Sequence, residues 1–163
     1  MGNQRFDALW NDYYSRIKYY VSHSFPSLRG EAGDLTQETF TRAFASLENL
    51  DAERSPAPWL YSVARNLCVD HLRKKRDAAE SLPDDAVSDR SDCPEREDDR
   101  RSIAAAIEDL PPSDRELCYL YYFEELSVKD IGLLVGRPAG TVKYRMFRIR
   151  AMLRKRLEDV GEG

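Results

Sequence analysis

The stretch from Ser127 to Leu157, SVKDIGLLVGRPAGTVKYRMFRIRAMLRKRL, allows few folds. It reads as a helix, a tight turn and a second helix. Ser127 can cap the first helix, and Asp130 can reach back to it in a capping-box arrangement. Ile131, Leu134 and Val135 follow at helical spacing, and Gly136 stands where a helix end needs a residue tolerant of positive φ. Pro138 stops the first helix, and Thr141 can cap or open the next. In that second helix Val142, Met146, Ile149 and Leu153 make one apolar stripe. The opposite face carries Tyr144, Phe147, Arg148, Ala151 and Lys155, flanked by Lys143, Arg145 and Arg150, and no acidic residue occurs from Ile131 to Leu157. A solvated helix of an ordinary bundle would share the stripe but not the one-signed charge. The combination with a glycine-containing turn suits the major groove of DNA.

The whole chain does not look like a protein that coats nucleic acid. Its net charge is −4 and its pI about 5.3, whereas such domains are strongly basic. The charge is segregated into a basic end and an acidic middle, a balance that fits a protein touching DNA alongside a basic partner. No apolar run approaches the roughly 20 residues needed to span a bilayer, and no signal-like segment follows Met1. Direct membrane insertion is therefore not expected, and a cytoplasmic location is. Cys68, Cys93 and Cys118 are widely spaced with no CxxC pair, and His23 and His71 are isolated, so no metal site is expected. Cys68 and Cys118 read as reduced thiols in or beside a core, while Cys93 lies in the polar middle segment.

Taken in order, Phe6, Leu9, Trp10, Tyr13, Ile17, Tyr20 and Val21 predict a first amphipathic helix. FPSLRGEAG is a break, after which Asp34 opens a second helix through Leu50. Its expected inner face is Leu35, Phe40, Ala43, Phe44, Leu47 and Leu50, and its outer face Asp34, Gln37, Glu38, Thr41 and Glu48, which spacing alone marks as solvated. A third helix starts at Pro58 and runs to Arg76. Trp59, Leu60, Val63, Ala64 and Leu67 form its packed face with His71 at the edge, and Ser62, Arg65, Asn66, Arg73 and Arg76 lie on another. From Asp77 to Asp99 acidic residues dominate and apolar ones are sparse, the pattern of a flexible linker. Fully stretched it reaches on the order of 80 Å. Ile103, Ile107 and Leu110 then predict a short helix ended by Pro111 and Pro112. Ser113 and Glu116 form a capping box for a helix through Leu117, Leu120, Tyr121 and Phe123. With no strand-period segment, the chain is expected to be all-α. It divides into a first helical domain over 1–76, a flexible acidic linker over 77–100, a second helical domain over 101–158 and a tail over 159–163.

Four motifs in this order carry a resemblance that covers nearly the whole sequence: DLTQETFTRAF, PWLYSVARNLCVDHLRKKR, LPPSDRELCYLYYFEELSVKDIG and GRPAGTVKYRMFRIRAMLRKRL. The chain resembles the extracytoplasmic-function (ECF) group of the bacterial sigma-70 family, sigma factors that keep only regions two and four. The resemblance implies a dissociable subunit of RNA polymerase that selects promoters, opens DNA and has neither catalytic chemistry nor a cofactor. It implies that Asp34, Gln37, Glu38 and Thr41 grip the polymerase core. The turn from Asp51 to Pro58 and the polar face of the third helix would read and melt the −10 element, with Arg65, Asn66, Arg73 and Lys74 on the strand and Trp59 and Tyr61 the nearby aromatics. Arg137, Thr141, Lys143, Tyr144, Arg145, Phe147 and Arg148 would engage the −35 element, with Arg137, Arg145 and Arg150 positioning the phosphate backbone. It also implies an anti-sigma protein as regulator. The alternative is a stand-alone transcriptional regulator using the helix-turn-helix alone. No constellation for an enzyme is visible.

Overall fold

The structure is a computed structural model that describes residues 2–50, 54–78 and 105–161. Cys93, Ile103, the acidic segment from position 79 to 100 and residues Asp51, Ala52 and Glu53 of the turn before the third helix lie outside them. The chain forms two compact units, Met1–Asp85 and Ala86–Gly163, and every described element is helical.

In the first unit α1 (Gly2–Ser24), α2 (Ala32–Ala45) and α3 (Ala57–Ala78) pack against one another. The expected break after α1 is instead a 3₁₀ segment, Pro26–Glu31, whose Leu28 is fully buried. It carries the chain into α2 two residues before Asp34. The core joins Ile17, Tyr20 and Val21 of α1 to Leu35, Phe40 and Ala43 of α2 and to Leu60, Tyr61, Ala64, Leu67 and Cys68 of α3. Burying each such aliphatic or aromatic side chain contributes about 1.5–3 kcal/mol. Thr36 and Thr39 are also fully buried, and their hydroxyls donate to the carbonyls of Ala32 (2.6 Å) and Leu35 (2.8 Å) one turn back. That local bond removes the cost of an unpaired buried hydroxyl and explains how two polar residues sit on the inner face.

Two expectations about this core are corrected. Phe44 is 54% exposed, because it stands next to the end of α2 at Ala45, where it packs edge-on against Phe6 at 5.2 Å. Tyr61 lies in the core, packed edge-on against Tyr20 at 5.1 Å, while Trp59 is the half-buried aromatic. Tyr61 is therefore not a surface group available to a DNA strand.

The described part of the second unit begins with a helical turn at 105–108 and continues through α4 (Pro112–Cys118), a π turn (Tyr119–Phe123), α5 (Val128–Val135) and α6 (Ala139–Gly161). The Ser113–Glu116 capping box does not form. Pro112 takes the first helical position, where its missing N–H costs nothing and its fixed φ fits. The Pro111 carbonyl then accepts from Asp114 and Arg115 (2.9 and 3.0 Å), so Ser113 already lies inside the helix. Phe123 is exposed rather than packed, because the π turn rotates the stripe begun by Leu117 and Leu120. The core collects Leu110, Leu117, Cys118, Leu120, Leu126, Ile131, Leu134, Val142, Met146 and Ile149. α6 extends past Glu158 into the expected tail, to Gly161.

Candidate nucleic-acid interface

The α5–turn–α6 segment is built by short-range bonds. Ser127 has extended backbone angles, and its hydroxyl accepts from the Asp130 amide at 3.0 Å, capping α5. At the other end Gly136 adopts the left-handed conformation (φ 71°, ψ 36°), and its amide and that of Arg137 (2.9 Å) both donate to the Gly132 carbonyl. Gly132 is itself needed. A Cβ there would stand 2.6 Å from the Arg137 carbonyl oxygen, so the turn folds back directly over a residue without a side chain. Pro138 caps α6, its carbonyl accepting from Thr141 (3.0 Å) and Val142 (3.1 Å). Thr141 therefore stands at the third helical position and does not cap the helix.

Val142, Met146 and Ile149 are buried and Leu153 half-buried, which fixes the rotation of α6. Lys143, Tyr144, Phe147 and Arg148 then face solvent, with Tyr144 61% and Phe147 69% exposed. Arg137 and Thr141 are exposed beside the turn. Among the described residues Lys143 and Arg148 make no ion pair. Arg145 differs. It is half-buried, and its guanidinium donates to Asp114 Oδ1 (3.2 Å) and Ser113 Oγ (3.3 Å). Arg150 donates to the Tyr122 hydroxyl at 2.8 Å and lies over the Tyr121 ring. That hydrogen bond raises its pKa further and keeps it charged. These internal bonds were not legible from charge alone.

In the first unit Asp34, Gln37, Glu38 and Thr41 share the exposed face of α2. Glu38 pairs with Arg42 at 3.4 Å, an exposed contact of small energetic weight. Gln37 and Thr41 border a cleft otherwise lined by Phe6, Trp10, Phe40 and Phe44. Sequence reasoning placed Trp10 and Phe44 on packed faces and missed this apolar patch. On α3, Asn66, Arg73 and Lys74 are exposed and Arg65 half-buried. Positions 66 and 73, and 65 and 73, are about two turns apart, so these side chains fall along one strip. Further along, Glu31 binds Lys75 (2.6 Å) and lies 3.9 Å from His71, tying the cationic end of α3 to the start of α2. Among the described residues no cluster of side chains could hold a metal ion, and no helix is long and apolar enough to cross a membrane.

Two protein-family descriptions match these units: "Sigma-70 region 2" over residues 9–78 and "Sigma-70, region 4" over residues 100–153. The chain belongs to the sigma-70 family. It is similar to the ECF RNA polymerase sigma factor SigW of Bacillus subtilis, at 34% identity over 151 residues that cover 80% of this chain and 77% of SigW. It is also 34% identical over 155 residues to the ECF sigma factor SigE of Mycolicibacterium smegmatis, covering 91% of this chain and 60% of that protein. Among solved structures, the sigma factor RpoE in complex with the anti-sigma factor NepR from Bartonella quintana shares the fold, with a TM-score of 0.70 at 21% identity over 95% of this chain and 98% of RpoE. As an ECF sigma factor the protein is a promoter-recognition subunit of RNA polymerase in transcription initiation. The sigma factor's region 4 contains the α5–turn–α6 unit, and its region 2 the three-helix bundle.

Proposed function

We propose that the two units of this sigma factor divide the work of initiation between three surfaces. The outer face of α2, with Asp34, Gln37, Glu38 and Thr41, binds core RNA polymerase, and the adjoining aromatic cleft supplies apolar contact beside those polar groups. The strip of α3 formed by Arg65, Asn66, Arg73 and Lys74 holds the −10 strand, where cations on the backbone must accompany capture of an unstacked base. The exposed face of α6, with Lys143, Tyr144, Phe147 and Arg148, reads the −35 duplex. The observation that carries this reading is the rotation of α6. Its stripe is sealed in the core, so the cationic and aromatic face alone is left to the groove. The protein has no catalytic chemistry of its own and works in the cytoplasm with polymerase. An anti-sigma protein is its expected regulator, since RpoE of the same fold is seen bound to one.

The test is run-off transcription from fragmented genomic DNA by bacterial core polymerase, with and without this protein. New transcripts that share a spaced pair of upstream elements are the expected result. Arg148→Ala should relax one −35 base position by about 1–3 kcal/mol, and Glu38→Ala should weaken core binding while leaving promoter choice intact. Specific duplex binding by the free protein with no gain in transcription would replace this reading with a stand-alone regulator.

A further inference from the structure

Five of the seven cations of α6 fall into two groups. Lys143 and Arg148 point outward without ion pairs among the described residues, whereas Arg145, Arg150 and Arg156 are each held by a group that precedes α5. Arg145 binds Asp114 and Ser113; Arg156 binds Asp109 at 2.7 Å; Arg150 binds Tyr122 and lies over two tyrosine rings, at 5.2 and 5.9 Å. Arg145 and Arg156 lie about three turns apart and so share one flank of α6, while Arg150 falls on the opposite flank. The helix is therefore gripped from both sides by the segment that contains Asp109, Asp114 and Tyr122.

Resting on the −35 reading above, we propose that Asp114, Asp109 and Tyr122 are positioning residues for promoter reading, acting through the helix's own arginines. They do two things at once. Bidentate contact with a guanine edge depends on the angle of the helix about its axis, and a brace on each flank fixes that angle. An arginine already bound to a carboxylate is also withdrawn from the phosphates, which removes sequence-independent affinity. The Arg145–Asp114 pair is the principal brace, because its side chains are only 37% and 16% exposed, and a partly buried pair is screened less than an open one. Arg156–Asp109 is more open, at 46% and 68%, and contributes less.

The experiment measures binding of reconstituted holoenzyme to a duplex with the −35 element and to one with that element scrambled, across a salt series. Wild type is compared with Arg145→Ala, Asp114→Asn and Tyr122→Phe. Arg145→Ala is expected to leave the salt slope on scrambled duplex unchanged and to lower the specific-to-scrambled ratio about three- to tenfold. Asp114→Asn releases Arg145 to the backbone, so the slope should steepen by about 0.9 and binding to scrambled duplex should rise. Tyr122→Phe keeps the ring and loses the hydroxyl, and should lower the ratio in a protein that still folds. A slope reduced by about 0.9 in Arg145→Ala with the ratio unchanged would make Arg145 a phosphate contact and overturn the brace. Unchanged slope and ratio in both Asp114→Asn and Tyr122→Phe would overturn it too. If wild-type holoenzyme fails to distinguish the two duplexes, the −35 reading fails and the brace falls with it.

Discussion

Replacing Gly132 by alanine probes the closest backbone approach in the helix-turn-helix. The new Cβ would stand 2.6 Å from the Arg137 carbonyl oxygen, 3.4 Å from the Ala139 nitrogen and 3.6 Å from its Cα. Ordinary contact begins near 3.4 Å, so the turn must yield by about 0.8 Å. The obstacle is main chain, and no side chain can swing aside. The Arg137 amide is also bonded to the Gly132 carbonyl at 2.9 Å, so displacing the turn strains its own closure. A weakened backbone hydrogen bond costs about 0.5–1.5 kcal/mol and overpacking about 1–3 kcal/mol. The better helix propensity of alanine returns about 1 kcal/mol. The net is a loss of about 1–3 kcal/mol, or a melting temperature of the second unit lowered by about 5–20 °C. Circular dichroism of the full chain reads this directly, with Gly140→Ala as the opposite control. A Cβ at Gly140 meets nothing within 4 Å, so that change should stabilise by up to about 1 kcal/mol. A Gly132→Ala protein that melts at or above wild type would refute the steric argument.

Ser127→Ala removes the hydroxyl that caps α5 and should cost about 1 kcal/mol, seen as a lower denaturant midpoint with unchanged m-value. Burial, followed by the charge of Asp114, pushes the Cys118 thiol up from 9.0 to about 12. The folded state then keeps a proton that the unfolded chain has lost, so stability should hold below pH 9 and fall between pH 9 and 12, by at most about 1.4 kcal/mol per pH unit. Denaturant titrations on either side of pH 9 should show this slope in wild type and not in Cys118→Ala. Phe44→Ser, at a half-exposed position of the cleft, loses the edge-on contact with Phe6, which should cost about 0.5–1.5 kcal/mol, and should weaken association with core polymerase in a pull-down.

The sequence was legible wherever a single turn of chain decides the outcome. Ser127, Gly136 and the stripe of Val142, Met146 and Ile149 behave as their spacing predicts. It misled where two local rules compete. Ser113 and Glu116 have the spacing of a cap, yet Pro112 before them is a stronger start signal and the helix begins there. Side-chain direction near helix ends was also hidden. Trp59 and Tyr61 both lie in the first turns of α3, and the position of Tyr20 on α1 decides which of them enters the core. The candidate site shows the same limit. Lys143, Arg145 and Arg148 were all expected to engage the −35 element, Arg145 on its phosphates, but Asp114, far away in sequence, binds Arg145 alone of the three. The roles of Trp10 and Phe44 depend on where the bundle ends, which periodicity does not report.

The π turn at Tyr119–Phe123 amounts to one extra residue taken into the last turn of a helix. Its closing bond runs from the Glu124 amide to the Tyr119 carbonyl, five positions back, where an α turn would use four. This wider turn is the last of its helix, and within it Tyr122 meets Arg150 while Phe123 faces solvent. A chain one residue shorter here could stay helical and equally apolar, yet it would offer Arg150 a different side chain and start the run to Ser127 from another angle. The aim of α6 thus depends on a residue count upstream of it, and a single deletion in this turn would redirect the helix without touching any residue of the face proposed to read DNA.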